Sequence, residues 1–189
     1  MKKKFILLLM LSSLSYGFEI GAGKAIMSSG SLEIEGKSAI DISDTLGYYV
    51  EVYSNDMNID NVPGKVGVGI KFSSYDQDVT NKSVATIATL YGIWKMELDL
   101  NSIKPYFQFR FGYPYAAEGN YVKEYNNSLG TYYNDLSGVT YLSGGLGASI
   151  YFLDASVNYD YNTYKIKTSG FSDKDVTSSN ISINIGAKF

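Results

Sequence analysis

The sequence predicts an all-β fold, an eight-stranded antiparallel up-and-down barrel that crosses a membrane. The clearest sign is the segment 180–189, in which one face is apolar and the other polar. Successive strand residues point to opposite faces, and a tilted strand of about ten such residues can span a bilayer. The apolar face carries Ile181, Ile183, Ile185, Ala187 and Phe189.

The overall hydropathy agrees with a barrel rather than with membrane helices. Mean hydropathy is −0.08, and no apolar run reaches the length of a membrane-spanning helix. No segment shows a convincing helical period over eleven residues or so. A transmembrane barrel has this character because each lipid-facing residue alternates with a polar one.

The first residues predict an export signal. Three lysines, a short apolar run over 5–11 and small residues near Gly17 follow one another. This order is typical of a signal peptide, so we expect a signal over 1–17 and a barrel domain over 18–189. The absence of cysteine excludes disulfides and a cysteine-linked lipid anchor.

The charge balance argues against nucleic acid as a partner. Removing the three signal lysines leaves 13 basic and 19 acidic residues, a net charge of −6. An acidic, exported chain is a poor binder of a polyanion.

Eight strands are predicted, with connections that alternate in length. The links 55–64, 99–104 and 153–154 are the shorter ones, whereas 28–44 and 114–138 are the longest. Short turns at one end and long loops at the other are typical of outer-membrane barrels, whose long loops face outside the cell. The predicted strands are 18–27, 45–54, 65–74, 84–98, 105–113, 139–152, 155–165 and 179–189.

Alternation alone does not say which face is inside. Phe107, Phe109 and Phe111 share one face of the fifth strand, and Arg110 lies on the other. An eight-stranded barrel is narrow, which favours small residues inside and rings outside. We therefore expect the phenylalanines to face lipid. The inward residues would include Gly67, Gly69, Gly145 and Gly147.

Lys24 does not fit the pattern of the first strand, because it falls on the face of Phe18 and Ile20. Either it lies near the outer headgroups, or a bulge at Gly21 or Gly23 resets the register.

Three stretches carry a family resemblance. Residues 103–113 read Ile-Lys-Pro-Tyr-Phe-Gln-Phe-Arg-Phe-Gly-Tyr, residues 142–161 hold a Gly-rich strand, a tight turn and a tyrosine strand, and the chain ends Ile-Gly-Ala-Lys-Phe. Together they resemble the small outer-membrane β-barrel family, which includes the transmembrane domain of outer membrane protein A and the opacity-type surface proteins. The resemblance implies residence in a Gram-negative-type outer membrane. It also implies that Ile185 and Phe189 form the signal read by the barrel-insertion machinery.

The sequence offers little for catalysis. It contains no histidine and no cysteine, which removes His-based triads, His acid–base chemistry and thiolate chemistry. The lipases, acyltransferases and proteases that resemble this fold depend on histidine. Only a carboxylate-based mechanism stays open, so we predict no enzyme, no cofactor and no metal site.

Seven charged residues fall on the predicted inner face. They either line a polar channel or form a closed network of ion pairs, and the narrow interior favours the network. Arg110 is expected to pair with Glu51 and Asp160. The seven are Glu51, Lys71, Lys95, Glu97, Arg110, Asp160 and Lys188.

The segment 114–138 is rich in tyrosine among Asn, Ser and Gly. That composition is found in protein-binding loops, but a hairpin that extends past the membrane with tyrosines at headgroup level is the favoured explanation. The candidate contact residues are Tyr115, Tyr121, Tyr125, Tyr132 and Tyr133.

Three functional hypotheses follow. The first is a non-enzymatic outer-membrane barrel, structural or displaying surface loops for contact or adhesion to an unidentified external ligand. The second is a small pore for ions or solutes. The third is a soluble periplasmic carrier barrel like a lipocalin, with its apolar face inside.

Overall fold

The structure is a computed structural model that describes residues 18–34, 37–43, 45–54, 64–77, 83–118, 133–168 and 174–189. The predicted signal peptide, residues 1–17, lies outside the described residues. Within these ranges no helix has the length and apolar character needed to cross a membrane.

The described ranges form a closed antiparallel barrel. Neighbouring segments pair in chain order, and β1 pairs with β9 to close the wall. Both β2 and β3 pair with β1 and are separated by one residue, so together they make one of eight barrel strands. The predicted fold class is therefore confirmed. The segments are β1 Phe18–Ile34, β2 Lys37–Ser43, β3 Thr45–Ser54, β4 Lys65–Gln77, β5 Ser83–Glu97, β6 Ile103–Glu118, β7 Tyr133–Ile150, β8 Leu153–Thr168 and β9 Lys174–Lys188.

The alternation seen in the sequence becomes an apolar outer face and a polar inner face. Along β6, Phe107, Phe109 and Phe111 are exposed, whereas Gln108 and Arg110 are buried. The phenylalanines thus point outward, as predicted, because the pleat sends adjacent side chains to opposite faces. A lipocalin-like carrier needs the reverse arrangement.

Aromatic rings fill much of the interior, although its narrowness favoured small residues there. The rings fit because glycines lie opposite them: a Cβ on Gly69 would lie 2.6 Å from the Tyr91 ring, and one on Gly147 would press on the Tyr106 ring. Glycine within a strand permits such close approach. The buried tyrosines are Tyr49, Tyr53, Tyr91, Tyr106, Tyr141 and Tyr164.

Lys24 lies on the outer face of β1, and the alternative of a bulge at Gly21 or Gly23 is wrong. The pairing of β1 with β3 runs without a break from Phe18 to Met27, so no bulge resets the register at Gly21 or Gly23. An irregularity occurs only later, between Met27 and Ser29 in the pairing with β9. Lys24 is exposed between apolar residues above and below it rather than at the outer edge of the wall.

The outer ends of the strands behave in two ways. The predicted link 28–44 is largely a paired hairpin, because β1 and β2 pair from Gly30↔Ile42 to Ile34↔Lys37. Between β6 and β7, in contrast, pairing ends at Gly112↔Tyr141. Beyond that level β6 continues to pair with β5, and β7 continues to pair with β8. The two strands therefore do not extend as one hairpin in the described residues.

Irregular pairing marks the level at which β6 and β7 separate. In β6 the pairing with β5 skips Tyr115, and in β7 the pairing with β8 skips Val139. Pro114 stands beside the first of these bulges and has no N–H to donate to a neighbouring strand. Two bulges and a proline at one level explain why the β6–β7 ladder stops there.

The tight turn at the inner end lies two residues earlier than predicted. Tyr151 and Phe152 form it, between the paired residues Ile150 and Leu153, and Tyr151 has a left-handed φ of 52°. The predicted turn at 153–154 is thus wrong, and Asp154 belongs to β8 with its side chain buried.

Candidate functional site

The lumen is the candidate site, and its middle is built around Glu51 on β3. The Arg110 guanidinium donates from Nε to Glu51 Oε1 at 3.0 Å, and its Nη2 forms an ion pair with the same oxygen at 2.8 Å. Tyr91 donates its hydroxyl to the same oxygen at 2.8 Å, and Tyr53 donates to Oε2 at 2.6 Å. The buried carboxylate thus receives three hydrogen bonds and an ion-pair contact.

Asp160 on β8 organises a second buried group. Lys71 Nζ donates to Asp160 Oδ2 at 2.6 Å, Ser182 donates to the same oxygen at 2.8 Å, and Tyr141 donates to Oδ1 at 2.9 Å. Arg110 was expected to pair with both Glu51 and Asp160. In the structure Arg110 pairs with Glu51, and Asp160 pairs with Lys71 instead.

A third cluster lies toward the inner end of the lumen. Lys95 Nζ is 3.0 Å from Asp154 Oδ2, and Lys188 Nζ is 3.1 Å from the same oxygen. Lys188 is also 2.9 Å from Glu97 Oε1, which completes a connected set of ion pairs. Lys65 joins it from the edge, 3.3 Å from Glu97 Oε2.

Tyr106 belongs to this inner cluster as well. Its hydroxyl donates to Asp154 Oδ1 at 2.5 Å, and Lys95 Nζ lies 3.5 Å from the centroid of its ring. A cation over a ring face in a desolvated place is held by the ring's quadrupole in addition to its carboxylate partner.

All seven charged residues predicted for the inner face lie there, in three clusters. Asp154 was not among the predicted inward charges, although it shares its face with Ser156, Asn158 and Asp160. With Asp154 included, the three clusters hold four anions and five cations. The cations are Lys65, Lys71, Lys95, Arg110 and Lys188, and the anions are Glu51, Glu97, Asp154 and Asp160.

The wall formed by β8 and β9 is polar but mostly uncharged. Asn158 accepts a hydrogen bond from Arg110 Nη1 at 3.2 Å, and Ser182 donates one to Asp160. Asn184 is 1% exposed, and neither atom of its amide has a hydrogen-bond partner among the described residues. Hydrogen-bonding capacity is therefore left unused on this side of the lumen.

The residues proposed for assembly lie at the seam. Ile185 and Phe189 are both exposed on the outer face. The backbone of Phe189 exchanges two hydrogen bonds with Ile20, at 2.9 and 3.0 Å. The terminal residue therefore contributes to closing the wall as well as presenting a ring to its surroundings.

The tyrosines proposed for surface contact are only partly described. Tyr115 is exposed at the β6 bulge. Tyr121, Tyr125 and Tyr132 lie outside the described residues, as does the side chain of Tyr133. For metals, the described residues contain no group of three or more carboxylates placed to hold an ion.

No protein-family model and no curated protein sequence matches this chain. Among solved structures, the chain is similar to Neisserial surface protein A, with 16% sequence identity and a TM-score of 0.51. The match covers 92% of this chain and 97% of that one. The chain has the fold of a small outer-membrane β-barrel.

Two other small outer-membrane barrels are similar at lower scores. The outer membrane protein OprG from Pseudomonas aeruginosa is 14% identical with a TM-score of 0.46, covering 91% of this chain and 95% of that one. Ail, the attachment invasion locus protein of Yersinia pestis, is 13% identical with a TM-score of 0.41, covering 92% and 99%.

Proposed function

We propose that this protein is a non-enzymatic integral protein of the outer membrane, whose closed barrel anchors surface segments for contact outside the cell. The observation that carries the proposal is a lumen packed with paired charges and tyrosines inside a wall whose outer face is apolar.

The outer face supports the membrane location. Val68, Phe111 and Leu146 are 61%, 62% and 69% exposed, and similar residues surround the described wall. Soluble monomers rarely expose contiguous apolar surface beyond a few hundred Å². A lipid-facing band flanked by aromatic residues accounts for such a surface.

The ion pairs support a closed lumen because they cross it. Lys71 on β4 reaches Asp160 on β8, four strands away in an eight-stranded wall, which is the full diameter. Arg110 on β6 reaches Glu51 on β3. Side chains that meet across a narrow barrel fill it, and leave no continuous path for hydrated ions.

The contact role rests on the outer segments. The segment 114–138 combines tyrosine with small polar residues, and the described pairing of β6 with β7 ends just before it, at Gly112↔Tyr141. We assign delivery to the membrane to the insertion machinery, acting on Ile185 and Phe189. Lack of histidine and cysteine supports a non-enzymatic role.

Cell fractionation and planar-bilayer recording test the location and the closed lumen together. We expect the protein in the outer-membrane fraction, a folded band that shifts on heating, and no steady conductance. Recovery as a soluble periplasmic protein would contradict the membrane assignment. Steady conductance would contradict the closed lumen and favour the pore hypothesis.

The contact role has its own test. Replacing residues 119–132 by a Gly-Ser segment of equal length should leave the heat-shifted band intact and reduce attachment of expressing cells to epithelial monolayers. Unchanged attachment would contradict a contact role for this segment.

A further inference from the structure

Lys24 places a charge on the part of the wall that otherwise faces lipid. It is exposed on β1, and its paired neighbours are Tyr48 on β3 and Ile185 on β9, both exposed apolar or aromatic residues. On its own strand, Ile26 continues the outer face above it. The surroundings are those of an apolar belt.

The depth of Lys24 is near the middle of that belt. It follows Phe18, at the inner end of β1, by six residues. At a rise of about 3.3 Å per residue and a tilt of about 40°, it lies roughly 15 Å above that end of a band about 25 Å tall. The headgroups are then about 15 Å away on the inner side and about 10 Å away on the outer side, and both distances exceed the reach of a four-carbon lysine stem.

The described residues supply little compensation for this charge. Lys24 Nζ lies 5.7 Å from the centroid of the Tyr48 ring, and no described carboxylate is within ion-pair distance. A cation on the lipid face of a barrel is destabilising near the midplane, and ionisable residues inside membranes are ordinarily paired. A negative charge from outside the chain compensates the positive charge of Lys24.

We propose that the seam patch around Lys24 is an intramembrane docking surface for a different membrane protein that presents a carboxylate from a transmembrane segment. This inference rests on the proposed membrane function. The seam patch comprises Ala22, Lys24, Ile26, Ile183, Ile185 and Ala187.

The shape of the seam patch fits close approach of a second protein backbone. Ala22 pairs directly with Ala187, so two small side chains lie side by side. They share the outer face with Lys24 and lie two residues nearer the inner end of β1. Small residues let transmembrane segments pack closely where lipid offers no hydrophobic driving force. Isoleucines above them supply apolar contact.

The counter-charge does not come from a second copy of this chain. Among residues with described side chains, the exposed carboxylates are Asp99, next to the inner turn after β5, and Asp175, at the outer end of β9. Neither lies at the depth of Lys24. A twofold dimer through the seam patch would also bring two lysines together.

Photo-crosslinking in intact cells tests the partner. A photoreactive residue replacing Ile183 should give one discrete adduct with a different protein, and the same residue replacing Leu90, exposed on β5 across the barrel, should give none. Lys24→Met should lower the adduct yield about tenfold, whereas Lys24→Arg should retain it. An adduct with itself, equal adducts at both positions, no adduct, or insensitivity to Lys24→Met would overturn the proposal.

A second measurement separates docking from a role within the barrel. In vesicles of phosphatidylethanolamine and phosphatidylglycerol without a partner, Lys24→Met should raise the midpoint of heat unfolding, because it removes an uncompensated cation. A lower midpoint would mean that Lys24 serves its own wall and would overturn docking. Wild-type protein that fails to enter membranes would instead contradict the proposed function.

Discussion

Arg110 shows how a single charge is accommodated in the lumen. It is 2% exposed, and its donors reach Glu51 from two positions of the guanidinium. Taking both charges out of water is costly, and their mutual attraction, the two tyrosine hydroxyls and the hydrogen bond from Arg110 to Asn158 offset that cost. Each partner therefore stabilises the barrel mainly because its removal would leave the other charge buried and unpaired.

Arg110→Ala should destabilise the folded barrel by about 3–5 kcal/mol, since it leaves Glu51 buried without its cation. The temperature at which the folded band disappears on a gel measures this effect. Lys104→Ala is the matched control, because Lys104 and Asp99 form an ion pair that is 46% and 71% exposed. Such a pair contributes about 0–1 kcal/mol, so equal shifts for both variants would contradict the buried network.

The glycines opposite the tyrosines make a second prediction at this scale. Gly69→Ala should destabilise by about 1–3 kcal/mol, because its Cβ would meet the Tyr91 ring that holds Glu51. Gly144→Ala is the control, since a Cβ there meets nothing within 4 Å. The two midpoints of heat unfolding should differ, and coincident values would mean that the interior has room to spare.

β6 shows what a single strand contributes and what its sequence can reveal. Its alternation of phenylalanine with polar residues follows from the pleat alone, so the outward face and the inward Arg110 were predictable. The partner of each charge was not. Lys71 and Asp160 are 89 positions apart, and their meeting depends on how all eight strands are staggered.

Two residues show where residue type is a poor guide to position. Asp154 was predicted to lie in a turn, yet the turn lies at Tyr151 and Phe152 and leaves Asp154 in register with the inner face. Lys24 obeys the alternation and faces outward, although its chemistry suits the inside. Local chemistry and strand register conflict at both positions, and register decides each.

Phe109→Arg tests the orientation of β6. It should cost about 2–4 kcal/mol if Phe109 lies near the midplane, because arginine would enter the lipid-facing surface. Refolding into vesicles and denaturant titration measure the loss. Lys104→Arg, a change between cations at an exposed site of the same strand, provides the baseline, and a similar value for both variants would argue that the outer face of β6 does not meet lipid.

At the scale of the whole molecule, the seam between β1 and β9 closes the wall. Their pairing extends from Gly21↔Lys188 to Ile34↔Val176, and Phe189 adds two backbone hydrogen bonds to Ile20. The side chain of Phe189 takes no part in those bonds and is exposed. Its backbone and its ring therefore have separable roles.

Phe189→Ala should lower the amount of protein in the outer membrane and leave the heat stability of the inserted fraction unchanged, because the backbone pairing is preserved. Immunoblots of membrane and periplasmic fractions measure the first effect, and gel shifts the second. Phe152→Ala, which removes another exposed aromatic ring near the inner end, is the control. Equal membrane levels for both variants would contradict an assembly role.

The seam also sets an order in time. With β2 and β3 counted as one barrel strand, every other pairing in the wall joins strands that follow each other in the chain. The pairing of β1 with β9 cannot form until β9 is present, and nearly the whole described chain separates these two strands. Pairing over such a distance forms slowly, and until then two strand edges stand open. The seam patch, with residues from both strands, exists only after that last event. A protein that docks there would thus bind only barrels whose wall has closed, and not incompletely assembled ones.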